Sequence, residues 1–212
     1  MSSQSDESQK AVTPSPWERG KRGEVVRIAI FASGSGTNAE QIILRFQKHD
    51  SIEVALVLSN KADAFVLERA KKFGVPSKVF NRQQFRETDE VLNWLAENRI
   101  THIVLAGFMW LMPENIIKAY PNKIMNIHPA LLPKFGGKGM YGHHVHEAVK
   151  AAGEKETGIT IHLVNEKYDE GKVLFQASTP LTSSDTPETI ANKVHALEYK
   201  YYPEQIEKWI KS

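Results

Sequence analysis

The stretch Val25-Val26-Arg27-Ile28-Ala29-Ile30-Phe31-Ala32, running directly into Ser33-Gly34-Ser35-Gly36-Thr37-Asn38, decides the fold. Its first half is a near-continuous run of β-formers, the pattern of a strand buried on both faces. Its second half is a turn of glycines and small polar residues. Ile42, Ile43, Leu44 and Phe46 then supply the apolar side of a helix from about Asn38 to His49. A doubly buried strand that turns straight into a helix is the opening unit of an α/β sheet.

Working outward, the unit repeats. Glu53 to Ser59 reads as a strand, Ala64 to Phe73 as a helix stopped by Gly74 and Pro76, and Ser77 to Phe80 as a short extended piece. Phe85 to Asn98 places Val91, Leu92, Trp94 and Leu95 at helical spacing and reads as one helix; Thr101 to Gly107 is a fourth strand. Pro113 suits the first position of a helix through Tyr120, closed by Pro121, and Ile124 begins a short strand that Pro129 ends. Strand and helix in alternation predict parallel strands joined by right-handed crossovers.

The pattern changes after Pro129. Leu132 to Gly142, with four glycines, is expected to be a mobile loop, followed by a helix near His146 to Ala152. Gly158 to Asn165 and Lys172 to Leu181 alternate as an antiparallel hairpin with its turn at Lys167 to Gly171. Asp185 or Thr186 caps the last helix, Pro187 lies in its first turn, Ile190, Val194 and Leu197 face inward, and Pro203 is expected to break or kink it. The predicted class is α/β: a Rossmann-like, mostly parallel sheet flanked by helices, with a C-terminal antiparallel hairpin.

A chain of 212 residues with 41% hydrophobic content is large enough for one well-buried core. Residues 1–24, rich in Ser, Gln, Lys, Glu and Pro, are expected to be a disordered tail ahead of a single domain over 25–212. A net charge of +2 gives no electrostatic reason to expect nucleic acid. No apolar run approaches the roughly 18 to 20 residues that span a bilayer. The absence of cysteine excludes disulfides and thiolate metal sites and fits a cytoplasmic protein.

Three places could carry chemistry. In Ile124-Met125-Asn126-Ile127-His128-Pro129, Asn126 and His128 are two apart and share one face of a strand end, where open α/β sheets place their sites; a capped strand with a satisfied histidine is the plainer reading. Gly34 to Ala39 matches Gly-x-Gly-x-x-Gly/Ala, but a dinucleotide site wants an acidic residue about 20 positions on. Here the second strand ends in Ser59-Asn60, and the hydroxyl and amide side chains of the loop suit a terminal phosphate on a helix N-terminus. Asp169, in the hairpin turn, is by itself ordinary turn chemistry. His162, on a face with Thr160 and Val164, reads as a half-buried strand residue. His143, His144 and His146 lack the spacing of a zinc site, so no metal is expected.

Taken together, Ser33 to Asn38, Ser59 to Phe65, Leu105-Ala106-Gly107-Phe108-Met109, Asn126 to Pro133 and Tyr168-Asp169-Glu170-Gly171 resemble the phosphoribosylglycinamide formyltransferase family, from about Val25 to the C-terminus. The resemblance implies the formyltransferase fold and transfer of a formyl group from 10-formyltetrahydrofolate to glycinamide ribonucleotide. By that resemblance Asn126, His128 and Asp169 are catalytic. Gly36, Thr37 and Asn38 hold the phosphate, and His195 and Glu198 help hold the ribonucleotide. Met109, Trp110, Leu111, Met112, Asn126, Asn165, Glu166, Lys167, Tyr168 and Asp169, with Arg86, face the folate, and Leu132-Pro133 is a cis peptide. Trp110 stands where the family often has arginine, and the glycine-rich loop after Lys134 is longer than in shorter members.

Those residue types suit the reaction. An amine attacks the formyl carbon, negative charge builds on the formyl oxygen, and the Asn126 amide with a protonated His128 stabilises it. Asp169 is expected to raise the His128 pKa, keep the ring charged near neutrality, and take the amine's proton through water. The related methionyl-tRNA formyltransferases and formyltetrahydrofolate hydrolases use a similar Asn-x-His and Asp but usually carry an added domain. A nucleotide-binding module without transferase activity would need Gly34 to Asn38 but not the three catalytic residues.

Overall fold

In the computed structural model, which describes residues 25–212, the opening stretch forms β1 (Val26–Phe31) and α1 (Thr37–Phe46). The tail expected over residues 1–24 lies outside the described residues. There follow β2 (Ile52–Ser59), α2 (Val66–Lys72), β3 (Ser77–Val79), α3 (Arg82–Arg86), α4 (Glu90–Glu97), β4 (His102–Leu105), α5 (Glu114–Ala119) and β5 (Ile124–His128). The chain ends with α6 (His143–Ala151), β6 (Glu156–Leu163), β7 (Val173–Pro180) and α7 (Pro187–Lys211).

All seven strands join one sheet in the order β3-β2-β1-β4-β5-β6-β7. β1 pairs in parallel with β2 on one side and β4 on the other, and β5 continues the parallel set. β6 then runs antiparallel to β5, and β7 antiparallel to β6, as the hairpin pattern predicts. Alternation along β1 divides the interior in two. Ile28 and Ile30 face the core built with α1, α2, α6 and α7, whereas Ala29 and Phe31 face the core under α3, α4 and α5. Gly158 lets β6 and β7 close, since a Cβ there would lie 2.0 Å from the Ala177 carbonyl oxygen.

The structure departs from the pattern reading at several element ends. The single helix expected over Phe85 to Asn98 is two. Asn81 caps α3 with a reciprocal capping box to Gln84, and the Thr88 hydroxyl bonds the Gln84 carbonyl, closing that first helix before Asp89 starts α4. Leu44 is exposed on α1, α6 begins at His143 rather than near His146, and Pro113 occupies the N-cap of α5 instead of its first turn. Thr186, rather than Asp185, is the N-cap of α7.

The break expected at Pro203 does not occur; α7 continues through it to Lys211. A proline inside a helix costs about 3 kcal/mol or more. Here Tyr202, Pro203 and Ile206 are all buried, and the Tyr202 hydroxyl donates to the Leu105 and Met125 carbonyls at 2.9 and 3.2 Å. Burial worth roughly 1.5–3 kcal/mol for each large apolar side chain offsets the lost backbone bond.

Candidate active site

The sheet order reverses between β1 and β4, and the crevice outside the carboxyl ends of such strands is where open α/β sheets bind ligands. A cavity of about 570 Å³ opens there, bounded by the turn after β1, the segment after β4, the end of β5, the glycine-rich loop and the hairpin turn. Ser33 ties two of these walls together. Its hydroxyl accepts the Met109 N–H at 3.0 Å and donates to the Asn60 side-chain oxygen at 2.7 Å.

At one end Asn126, His128 and Asp169 converge. His128 Nδ1 is 3.6 Å from Asp169 Oδ2, and its Nε2 lies 2.7 Å from the Phe135 carbonyl oxygen. A carbonyl only accepts, so the Nε2 carries a proton. Burial pushes the imidazole pKa down; the Asp169 carboxylate and the Phe135 carbonyl push it back up without offsetting the burial. The ring therefore rests below its ordinary value, and the expectation that Asp169 keeps it charged near neutrality fails: desolvation of a buried ring outweighs one carboxylate at 3.6 Å. Burial also works upward on Asp169, but His162, His128 and the Gly137 N–H, which donates to Oδ2 at 3.0 Å, prevail and hold the carboxyl below the usual range.

His162 is the residue the pattern reading undervalued. It is 2% exposed, its Nε2 lies 3.1 Å from the Asn126 amide nitrogen and 3.6 Å from Asp169 Oδ1, and its Nδ1 lies 2.9 Å from the Leu163 carbonyl oxygen. The antiparallel register that sets His162 opposite Asn126 was the missing information. His146, weighed only as a zinc ligand, also lines the cavity; burial, then neighbouring His195, His143 and His128, push its pKa down to about 4. Among the described residues no three His, Cys, Asp or Glu side chains group as a metal site.

The other end is the start of α1. Gly36 sits at its N-cap with φ 72°, and a Cβ there would lie within 2.7 Å of Val66, so this turn requires glycine. No side chain caps the helix, which leaves its first-turn N–H groups facing the cavity lined by Gly36, Thr37 and Asn38. The Asn38 amide donates to Glu198 Oε2 at 2.8 Å. Burial raises the Glu198 pKa to about 7 against the opposing pull of that amide, and burial lowers His195 beside it on the cavity wall.

Met109, Trp110, Leu111 and Met112 form a third wall, and Lys167 and Tyr168 also line the cavity. Three predicted folate contacts stand apart from the cavity wall. Asn165 accepts the Lys167 N–H and shapes the turn, Glu166 lies outside the lining, and Arg86, also outside it, donates to the Leu111 carbonyl at 3.2 Å.

The sequence pattern of the formyl transferase family covers residues 26–206. A phosphoribosylglycinamide formyltransferase of Bacillus subtilis is 36% identical over 85% of this chain and 92% of its own length. The chain belongs to the phosphoribosylglycinamide formyltransferase family. A chloroplastic member from Arabidopsis thaliana is 38% identical over 85% of this chain, which spans 64% of that longer protein. The crystal structure of the phosphoribosylglycinamide formyltransferase from Bacillus halodurans superposes with a TM-score of 0.77 at 40% identity, over 86% of this chain and 94% of that one. Within this family member Trp110 closes an aromatic cluster, its ring 5.8 Å from Phe85, 6.1 Å from Phe80 and 6.4 Å from Phe108.

Proposed function

We propose that this chain transfers the formyl group of 10-formyltetrahydrofolate to the amine of N1-(5-phospho-D-ribosyl)glycinamide, a step of de novo purine (IMP) biosynthesis. The observation that carries the reading is that Asn126, His128 and Asp169 share one cavity with the uncapped N-terminus of α1. A phosphate rests well on free helix N–H groups, so the ribonucleotide phosphate goes to Gly36–Asn38, with its ribose toward Glu198 and His195. Its amine then reaches toward His128. The apolar wall Met109–Met112 takes the folate ring system, and a cavity of about 570 Å³ is of the size that encloses small ligands.

In this reading the neutral amine attacks the formyl carbon and negative charge builds on the formyl oxygen. The Asn126 amide N–H donates to that oxygen, and His128, in the protonated fraction that Asp169 sustains against burial, is the second donor through Nδ1. Asp169 favours the protonated ring against burial and takes the amine's proton through water. Collapse of the tetrahedral carbon breaks its bond to the folate nitrogen, which leaves with the proton that the Asp169–water pair took from the amine. This chemistry needs no metal, and the partners are two small molecules, with neither nucleic acid nor membrane. No helix among the described residues is long and apolar enough to cross a membrane. The cytoplasm as its place, and 25–212 as one formyltransferase domain, belong to the same proposal.

The test is formyl transfer by the purified full chain. Glycinamide ribonucleotide with 10-formyltetrahydrofolate should yield the formylated ribonucleotide. Release of free formate without it, or formylation of methionyl-tRNA in its place, would overturn the assignment.

A further inference from the structure

Phe135 has a backbone few bulky residues adopt. Its φ is +56°, in the left-handed region that costs free energy for any side chain with a Cβ. Its half-buried ring packs against the core that α1, α2, α6 and α7 build, and its carbonyl oxygen lies 2.7 Å from His128 Nε2. The next residue, Gly136, lies so close to the site that a Cβ there would come within 2.5 Å of Leu132 and 3.4 Å of the Asp169 Cβ. Gly137 then gives its N–H to Asp169 Oδ2 at 3.0 Å. Three consecutive loop residues thus lie against both His128 and Asp169. The base of the loop is pinned by the Leu132 N–H on the Thr160 hydroxyl at 2.9 Å and by Gln176 on the Leu132 carbonyl at 3.0 Å.

We propose that Phe135 is a positioning residue for the reaction proposed above: its core-held ring keeps the backbone left-handed, so that its carbonyl occupies His128 Nε2 and leaves Nδ1 as the nitrogen that gains and loses the proton. The reason is the match of donors to acceptors. The Phe135 carbonyl and the Asp169 carboxylate flank the ring from opposite nitrogens, and a neutral imidazole has one N–H for the two of them. A carbonyl held at 2.7 Å claims that N–H for Nε2. Nδ1, which faces Asp169 and the cavity, is then the atom that titrates. With the carbonyl turned away, the ring would place its single proton on Nδ1 against Asp169 and expose an unprotonated Nε2.

The experiment is ¹⁵N NMR of the histidine side chains in the ligand-free full chain, paired with steady-state kinetics, on the wild type, Phe135→Gly and Phe135→Tyr. Glycine accepts the left-handed backbone but gives up the ring anchor, and tyrosine keeps the anchor. Neutral His128 should be the Nε2–H form in the wild type and the tyrosine variant and a mixture in Phe135→Gly. Phe135→Gly should lose kcat on the order of tenfold with KM changed by less than about twofold, and Phe135→Tyr should restore it. If Phe135→Gly does not fold, Phe135→Asn, also suited to left-handed backbone, is read the same way. A chain that formylates glycinamide ribonucleotide while its His128 rests as Nδ1–H overturns the role of Phe135 and leaves the reaction standing. A tautomer that depends on Phe135 in a chain without formyl transfer supports the positioning and overturns the reaction.

Discussion

His162 and Asn126 face each other directly across the antiparallel pair β5 and β6, with His162 Nε2 3.1 Å from the Asn126 amide nitrogen. The Leu163 carbonyl, 2.9 Å from Nδ1, accepts the N–H of that nitrogen and fixes the ring with Nε2 between the Asn126 amide and Asp169. A ring held in that way keeps the Asn126 amide in one orientation. An amide alone is free to flip; this one is not.

Removing this control should cost turnover without removing the donor itself. His162→Ala is expected to lower kcat on the order of tenfold, whereas Asn126→Ala and His128→Ala, which delete donors, should each cost on the order of a hundredfold. KM for the ribonucleotide should change little in all three. Steady-state kinetics decide it, and a His162→Ala enzyme with unaltered kcat would mean that Asn126 needs no orientation.

Asp169 sits at φ +55°, a left-handed conformation that asparagine tolerates as well as aspartate does. Asp169→Asn should therefore fold normally while removing a carboxylate 3.6 Å from His128 Nδ1. A large loss of turnover at neutral pH is expected, and the His128 titration followed by NMR should move further down, because the charge that opposes burial is gone. The wild-type carboxyl is held below its ordinary value, so it contributes stability above the unfolded-state pKa that is lost as pH falls through its folded value. The melting temperatures of the two proteins should accordingly converge in acid. An unmoved His128 titration would return Asp169 to the turn.

Glu198 has the opposite sign. Burial raises its pKa from 4.5 to about 7, so the folded state holds a proton the unfolded chain releases first. Stability from this group is fully present below about pH 4.5 and declines as pH rises toward 7. The full decline is on the order of 3 kcal/mol. Glu198→Gln keeps an acceptor for Asn38 and cannot ionise. Its melting temperature relative to wild type should therefore climb between pH 5 and about 8, a shift read by calorimetry. A pH-independent difference would rule out the protonated carboxyl.

Tyr202 is fully buried and bridges α7 to β4 and β5 through the Leu105 and Met125 carbonyls. Tyr202→Phe keeps the ring but removes the donor both carbonyls share. A destabilisation of about 1–3 kcal/mol is expected. Urea unfolding should show a lower midpoint with an unchanged slope. An unshifted midpoint would mean that the hydroxyl holds nothing.

Much of this was legible in the chain itself. The doubly buried run at Val26–Phe31, the glycine turn at Gly34–Asn38 and the strand–helix alternation specify the parallel half of the sheet, because backbone period and turn chemistry are local properties. Asn126 and His128 on one strand face, and Asp169 in a hairpin turn, follow from the same period of two. The element ends were less legible. The split between α3 and α4 depends on a capping box and a hydroxyl bond, and the passage of α7 through Pro203 depends on burial that no local rule contains.

What only the tertiary structure decided is how distant segments meet. His162 became the partner of Asn126 through the register of two strands 36 residues apart in sequence. Phe135 came onto His128 because the loop folds back over the strand end. Glu198 met Asn38 across 160 residues because α7 packs on α1. The charge of His128 was likewise out of reach: the carboxylate that raises its pKa can be read from the residues, but the larger effect, loss of water around the ring, exists only once the chain has closed over it.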